Sequence, residues 1–371
     1  MKYKLKYTLA LLVAACGMSI VSCSDWTETE HVDINYRTME DADNYPAYLE
    51  ALRQYRNTDH KLIYAWFALP KDAPADQHER LTSIPDSVDV IVLHGNTDIH
   101  EQVAKDLAKV RTDKGMKVLY QVDFDELISE FKEVKANYEL QCALLRADYE
   151  SREGYWWDPE MQAELEAKLA EIPEPNEVDY ILNHLTPALQ GFKTLKIDGM
   201  MFAFDGKIPD YLTPDEKYAY NLEKIACLGI ASDWHARNPE MLYEFLGKPQ
   251  FLTDVPELLD EFGKLFIRST ATAGNASEFA LYYQMALLEG FAENRLGVMT
   301  SICSLDPEDT KTGYFNDGVT RAADAMAEWI VGKHMGAVGI LNAQNDYYTQ
   351  APDVLYPSVR KIIRSANPNH K

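Results

Sequence analysis

The chain has 371 residues, of which 46% are hydrophobic and 26% charged, and its formal net charge is −23 at pH 7. A surface this acidic repels nucleic acid and anionic lipid, so the composition excludes both as binding partners. The length suits one large domain or two small ones. The sequence contains no repeat at a solenoid period, so it does not indicate a repeat architecture.

The first residues have the pattern of a bacterial lipoprotein signal peptide. Three lysines lie within the first six residues, and the apolar stretch over residues 9–21 is too short and too early for a membrane-spanning helix. The stretch ends in Ile20-Val21-Ser22-Cys23, which resembles a lipobox, the group of small residues before a lipid-bearing cysteine. We predict a signal peptide over residues 1–22 and a lipid on Cys23, the first residue of the mature chain.

Two alternatives to this assignment stay open. Cys16 is a weaker lipidation candidate, because cleavage there would cut through the apolar stretch. The second alternative is an ordinary signal peptide that happens to contain cysteines. Residues 23–43 are polar and acidic, and we interpret them as a tether. Their acidic start resembles the surface-export signal of Bacteroidetes lipoproteins, which implies a lipid anchor at the outer face of the outer membrane.

After the tether, short apolar runs alternate with amphipathic helical patterns. Near-continuous apolar runs are typical of strands buried on both faces of a parallel sheet. Eight runs occur, at residues 62–67, 88–93, 116–122, 195–204, 250–252, 264–267, 295–299 and 336–341. The helical patterns between them include residues 98–111, 125–152, 214–246, 276–291 and 317–333. We predict an α/β fold, a single (β/α)8 TIM barrel over residues 44–371, because eight such units fit a barrel better than an open sheet.

Several classes of chemistry lack their motifs in this sequence. No dinucleotide-binding Gly-x-Gly-x-x-Gly follows the first strand, and neither a P-loop nor the Gly-x-Ser-x-Gly elbow of serine hydrolases occurs. The histidines do not have the spacing of a metal site, so we predict no cofactor and no metal. Cys142, Cys227 and Cys303 form no paired motif, and we interpret them as buried apolar residues.

The fourth apolar run carries a recognisable motif. Residues 195–205 read Leu-Lys-Ile-Asp-Gly-Met-Met-Phe-Ala-Phe-Asp, and this run resembles the DGxDxDxE strand of glycoside hydrolase family 18, the chitinases and endo-β-N-acetylglucosaminidases. Asp198 and Gly199 match the opening pair of the motif. The strand order and the chain length look like those of endoglycosidase-type members among Bacteroidetes lipoproteins. The resemblance covers residues 45–365, and this strand is its specific motif.

Three of the four acidic positions of the motif are altered. Met201 and Ala203 stand where the family has aspartates, and Asp205 stands where it has glutamate. The resemblance implies substrate-assisted hydrolysis, in which the glutamate protonates the leaving oxygen and the preceding aspartate orients the N-acetyl group. Alanine performs neither task, and an aspartate at 205 holds its proton about 1.5 Å short, which costs roughly 100-fold in rate. We therefore expect a barrel that binds a glycan without hydrolysing it.

The ends of other predicted strands supply further candidate residues for glycan binding. Together with Asp198 and Asp205, these are Trp66, His94, Asp123, Arg268, Asn342, Gln344, Asn345 and Tyr347, with Asn96, Gln121 and Ser269 beside them. Trp66 is open to two interpretations, a stacking platform for a sugar ring or a core residue. The family often has glutamine and tyrosine where Arg268 and Ser269 stand, and tryptophan at the end of the eighth strand, where none occurs here. These departures predict an altered sugar site.

Three functions remain open from the sequence. The first is a non-catalytic lipoprotein at the cell surface that captures oligosaccharides or glycoprotein glycans containing N-acetylglucosamine for a neighbouring hydrolase and importer. The second is an active endo-β-N-acetylglucosaminidase that uses Asp205 as its acid with Asp123 or Asp198 as partner. The third is a structural subunit of an outer-membrane glycan-uptake complex. Within the sequence, Met201 and Ala203 alone separate the first two.

Overall fold

The computed structural model describes residues 43–95, 99–268, 277–348 and 354–368. Its contacts divide the chain into residues 1–48 and 49–371, and the first unit is described only from residue 43. Cys23 and the tether up to residue 42 lie outside the described residues, as do Asn96 and Ser269. Among the described residues, no helix has both the length and the apolar character needed to span a bilayer.

Eight parallel strands form a closed barrel in sequence order, and β1 pairs with β8 to complete it. The strands are β1 (Leu62–Leu69), β2 (Val90–Gly95), β3 (Lys117–Asp123), β4 (Gly199–Phe204), β5 (Leu242–Gly247), β6 (Leu265–Ile267), β7 (Leu296–Ser301) and β8 (Ala337–Leu341). The predicted (β/α)8 barrel is confirmed.

Helices surround the barrel, and side-chain caps begin several of them. The described helices are α1 (Tyr45–Tyr55), α2 (Glu101–Thr112), α3 (Phe124–Glu150), α4 (Pro159–Ala170), α5 (Glu177–Leu195), α6 (Pro214–Arg237), α7 (Pro256–Asp260), α8 (Ser277–Leu288), α9 (Ala322–Trp329) and α10 (Pro357–Ala366). Asp123 starts α3, because its carboxylate accepts hydrogen bonds from the backbone N–H groups of Asp125 and Glu126. Thr213 and Glu216 form a capping box at the start of α6.

The prediction for the fifth strand is wrong. Residues 250–252 are not a strand, since Pro249–Phe251 form a 3-10 turn. The strand lies at Leu242–Gly247, in a segment that we predicted as the end of a helix over residues 214–246. That helix stops at Arg237, because Pro239 disfavours helical geometry in the residue before it.

The period of two along each strand decides which side chains face the barrel interior. The interior is filled by a separate apolar cluster of Tyr64, Trp66, Val90, Val92, Leu119, Met201, Ala203, Leu246, Phe266, Met299 and Ala337. In β4 the alternate residues Met200, Phe202 and Phe204 belong to the larger core that includes the surrounding helices. Inward residues just beyond the carboxyl ends of the strands therefore point into the mouth of the barrel, where active sites of this fold lie.

Candidate functional site

Charged side chains continue the inward rows of the strands into the barrel mouth. Asp205, Lys248 and Arg268 each follow an interior residue by two positions, since Ala203, Leu246 and Phe266 belong to the interior cluster. Asp123 ends β3 in the same way, and Asp125 follows in the first turn of α3. We call Asp123, Asp125, Asp205, Lys248 and Arg268 the charged cluster.

Arg268 lies between the three carboxylates of the charged cluster. Its Nη2 is 2.6 Å from Oδ2 of Asp123, its Nη1 is 3.7 Å from Oδ2 of Asp125, and its Nε is 3.7 Å from Oδ1 of Asp205. The side chain is 24% exposed, so water screens these interactions only partly. One guanidinium thus lies near all three carboxylates and, together with Lys248, compensates part of their negative charge.

Asp205 is held by its neighbours on both sides. Lys248 Nζ lies 3.0 Å from its Oδ2, and its backbone N–H donates to Oδ2 of Asp125 at 2.6 Å. Its Oδ1 is buried and accepts no hydrogen bond from the described residues. Asp205 is thus engaged by Lys248 at one oxygen, and its other oxygen lies 3.7 Å from Nε of Arg268.

Asp125 is the carboxylate of the cluster that titrates close to neutral pH. Burial raises the pKa of Asp125 to about 6, and the nearby charges of Asp123 and Asp205 act in the same direction. The hydrogen bond from the backbone of Asp205 and the charge of Arg268 oppose the rise in pKa. The charge of the mouth therefore changes between mildly acidic and neutral pH.

A hydrogen-bonded chain joins the charged cluster to the barrel interior. The indole N–H of Trp66 donates to Oε1 of Gln121 at 2.6 Å, and Nε2 of Gln121 donates to Oδ2 of Asp123 at 3.3 Å. Trp66 has no exposed surface and packs edge-on against Phe266, with ring centroids 5.3 Å apart. The core interpretation of Trp66 is therefore the right one, because its ring is closed to a sugar. Trp66 supports the mouth from below instead.

His94 stands at the mouth as an uncharged imidazole. Burial lowers the pKa of His94, and the charge of Asp123 opposes this shift. Its Nε2 is buried and has no hydrogen-bond partner among the described residues. Within the described part of the chain, no group of three histidine, cysteine or acidic residues is arranged to hold a metal ion.

Two of the predicted glycan-binding residues in the segment after β8 are already hydrogen-bonded within the protein. Nδ2 of Asn342 donates to Oγ of Ser301 at 3.3 Å, and Nδ2 of Asn345 donates to the carbonyl oxygen of Cys303 at 3.2 Å. Tyr347 is half-buried and packs against the ring of Tyr356. The exception is Gln344, a buried side chain whose Oε1 is unpartnered among the described residues.

Asp198 does not belong to the mouth. It precedes β4 at the amino end of the barrel, so it lies at the opposite end from Asp205. Its carboxylate accepts two hydrogen bonds from Arg111 of α2, at 2.8 and 2.9 Å. The adjacent Gly199 also has a structural explanation, since a Cβ there would lie 2.1 Å from the carbonyl oxygen of Leu242. The prediction that Asp198 joins the glycan site is wrong because the residue is already paired elsewhere.

Comparison with known proteins agrees with this fold. The family model of glycoside hydrolase family 18, BT1044-like, matches residues 27–365. The chain belongs to glycoside hydrolase family 18. A selenomethionine variant of BT1044 superposes with a TM-score of 0.53 at 17% identity, over 89% of this chain and 95% of that one. The apo endo-β-N-acetylglucosaminidase from Cordyceps militaris gives 0.55 at 14% identity, over 87% and 96%.

These structural likenesses show the fold alone at such identities, and no curated protein matches the sequence. The run that resembles the family 18 motif in the sequence lies on β4. Its positions 201 and 203 hold Met201 and Ala203, which are fully buried in the barrel interior. Position 205 holds the ion-paired Asp205. The inward row of β4 is thus apolar, and one ion-paired carboxylate follows it.

The structure adds two residues that we missed in this family 18 sequence, Asp125 and Lys248. In the sequence we assigned Asp125 only to the helical pattern over residues 125–152, although a carboxylate two positions beyond a strand end still reaches the mouth. Lys248 was hidden because the fifth strand was misplaced. The alternation of Tyr243, Phe245 and Gly247 with inward residues would have pointed to Lys248.

Proposed function

We propose that this family 18 protein binds N-acetylglucosamine-containing glycans, such as N-glycans, without hydrolysing them. The observation that carries the proposal is the environment of Asp205, whose one oxygen is paired with Lys248 and whose other oxygen has no hydrogen-bonding partner among the described residues. Ala203 supplies no carboxylate to orient an N-acetyl group or to stabilise the positive intermediate. Both roles of the family's acidic pair are therefore unfilled.

Unpartnered polar atoms at the mouth favour a sugar ligand. His94 Nε2 and Asp205 Oδ1 are both buried and without hydrogen-bond partners among the described residues. Gln344 Oε1, in the turn after β8, is likewise unpartnered there. Buried polar atoms are normally paired, so atoms left open at a mouth are suited to the hydroxyl groups of a ligand. Sugar hydroxyls both donate and accept, and the charged cluster offers donors and acceptors side by side. A neutral sugar fits this arrangement because it adds no further negative charge to a cluster of three carboxylates and two cations.

An active endo-β-N-acetylglucosaminidase is the second candidate, and Asp125 is the observation that favours it. The pKa of about 6 leaves part of the Asp125 population protonated near neutral pH. Its Oδ2 is already hydrogen-bonded to the backbone of Asp205, so a proton is available close to the family's acid position. Asp123 pairs with Ala203 in the register of β3 and β4, but its carboxylate is bonded to Arg268 and caps α3. It is therefore not free to orient an N-acetyl group, and this is why we prefer the binding protein.

We expect no release of glycan from high-mannose or complex N-glycoproteins or from chito-oligosaccharides, and retained binding on a glycan array. The double variant Ala203→Asp/Asp205→Glu should gain trace hydrolysis at most, because Lys248 and Arg268 still neutralise the new acids. Glycan release is measured by mass spectrometry at pH 5 and pH 7. Turnover by the unmodified protein that Asp205→Asn or Asp125→Asn abolishes would contradict the proposal. If neither cleavage nor binding is found across the array, the structural subunit of an uptake complex becomes the better explanation.

We also propose that a lipid on Cys23 anchors the protein at the outer face of the outer membrane, where it passes glycans to a hydrolase and an importer. Support for this comes from the sequence of residues 1–30, with its basic start, apolar stretch and acidic residues after Cys23. Cys23→Ser should abolish labelling by fatty acid and leave the protein unanchored in the periplasm, whereas Cys16→Ser should not. Acyl labelling that survives in Cys23→Ser would show that the lipobox is assigned to the wrong residue.

A further inference from the structure

A helical arm extends away from the barrel between β3 and β4. Helix α3 is 27 residues long, about 40 Å at 1.5 Å per residue, whereas the seven residues of β3 span only about 23 Å. Its buried residues are Phe124, Ile128 and Phe131 near the start and then only Tyr149 near the end. Helix α3 thus leaves the barrel after Phe131, and we call residues 132–170 the arm.

The arm has its own small core and a firmly held tip. Tyr149, Leu165 and Leu169 form a buried cluster that is separate from the two clusters of the barrel. At the tip, the 3-10 turn Tyr155–Trp157 follows Gly154, whose φ of 90° suits glycine. The turn is fixed from α4, since Nε2 of Gln162 donates to the carbonyl oxygen of Tyr155 at 2.9 Å.

Two adjacent tryptophans project from this tip into solvent. Trp156 is 65% exposed and Trp157 is 79% exposed, so neither contributes its ring to the arm's core. Tyr155 is the aromatic residue that packs against that core, and Trp156 lies edge-on against it with centroids 5.2 Å apart. Large aromatic rings held open on a rigid turn mark a contact site for another molecule.

The charges around the tip indicate the kind of partner. Residues 146–168 contain seven acidic and three basic side chains, and this excess repels anionic lipid and other polyanions. The exposed Glu153 and Glu160 flank the two rings in sequence. Indole faces cover the apolar C–H faces of pyranose rings, and carboxylates accept hydrogen bonds from sugar hydroxyls. Aromatic faces beside carboxylates are thus complementary to a neutral polysaccharide.

We propose that Trp156 and Trp157 form a second carbohydrate site, which binds neutral polysaccharide independently of the barrel mouth. The two sites lie on different parts of the molecule, so one long chain or two neighbouring chains contact both. When one site is bound to a polymer, the effective concentration of that polymer at the other site rises. The arm therefore increases the residence time of the protein on a polymer without any change at the mouth.

The test uses the full-length protein and the double variant Trp156→Ala/Trp157→Ala. Binding is measured by sedimentation with insoluble chitin and by affinity electrophoresis in yeast mannan. We expect the double variant to bind at least one of these polymers about tenfold more weakly, with an unchanged Tm because the rings lie outside the core. The matched control is Leu288→Ala, which removes an 85% exposed apolar side chain elsewhere and should bind as the wild type does.

A short oligosaccharide separates this site from the mouth. Calorimetry with chitotriose or a high-mannose glycopeptide should give the same affinity for the double variant and the wild type, whether that affinity is high or absent. The inference is overturned if the wild type binds neither polymer, or if the double variant binds the polymers as tightly as the wild type. The same holds if Leu288→Ala weakens binding as much as the double variant does. It is also overturned if the two tryptophans mediate binding to phosphatidylcholine vesicles and not to polysaccharide.

Discussion

Replacing Arg268 by methionine should lower the free energy of unfolding by about 3 kcal/mol at pH 8, the low end for breaking a buried ion pair. The variant keeps the volume of the side chain but leaves Asp123, Asp125 and Asp205 with mutual repulsion and only Lys248 to compensate it. The low end applies because Arg268 is still 24% exposed. Urea unfolding followed by circular dichroism measures the loss.

The pH dependence of this loss is a second readout of the same variant. The pKa of Asp125 is about 6, so lowering the pH to 5 protonates this carboxylate and relieves part of the repulsion. We expect the difference from the wild type to shrink at pH 5. Arg268→Lys is the control, since it retains a positive charge and should lose less stability. If Arg268→Met is as stable as the wild type at pH 8, the charged cluster does not hold the mouth together.

Replacing Glu244 by glutamine should raise the stability of the protein at pH 8 by roughly 3 kcal/mol. Glu244 faces the barrel interior from β5 and is only 4% exposed. It accepts hydrogen bonds from the hydroxyl of Tyr64 at 3.2 Å and from the backbone N–H of Lys264. Burial raises its pKa to about 7, against the opposing hydrogen bond and charge of Lys264 and the charge of Arg295.

The direction of the effect follows from the two pKa values of Glu244. In the unfolded chain the group has its ordinary pKa of 4.5, and in the fold about 7. Stability is therefore lost as the pH rises from 4.5 towards 7 and stays reduced above that pH, because the fold then holds a buried carboxylate. Glu244→Gln should abolish this decline, while Glu289→Gln, at an exposed glutamate, should retain it. An equal decline in Glu244→Gln and the wild type would assign the pH dependence to other groups.

The apolar pattern was sufficient to predict the barrel but not the position of each strand. Seven predicted runs overlap with observed strands, because buried parallel strands are apolar on both faces. The fifth strand escaped because Tyr243, Glu244 and Gly247 interrupt its apolar character, and Glu244 is charged although it is buried. Partners from other strands make that burial tolerable, and such partners are invisible in the local sequence.

The site was predicted as far as the strand ends were correctly placed. Asp123, Asp205 and Arg268 meet at the mouth because each continues an inward row at the carboxyl end of a strand. The prediction for Asp198 was wrong because this residue precedes its strand and pairs with Arg111 of α2. Whether a tryptophan such as Trp66 is buried or exposed depends on side chains from several strands. The sequence of one strand does not contain this information.

The hydrogen-bonded chain from Trp66 to Asp123 makes the NMR signal of the Trp66 indole proton sensitive to changes at the barrel mouth. The indole proton of Trp66 lies in the buried interior, and its acceptor, Gln121, donates through Nε2 to the carboxylate of Asp123 that Arg268 contacts. A ligand that draws Arg268 away from Asp123 changes the polarisation of Gln121, and with it the electronic surroundings of that proton. The NMR chemical shift of the Trp66 indole proton therefore reports the binding of such a ligand, although the ligand does not touch this proton.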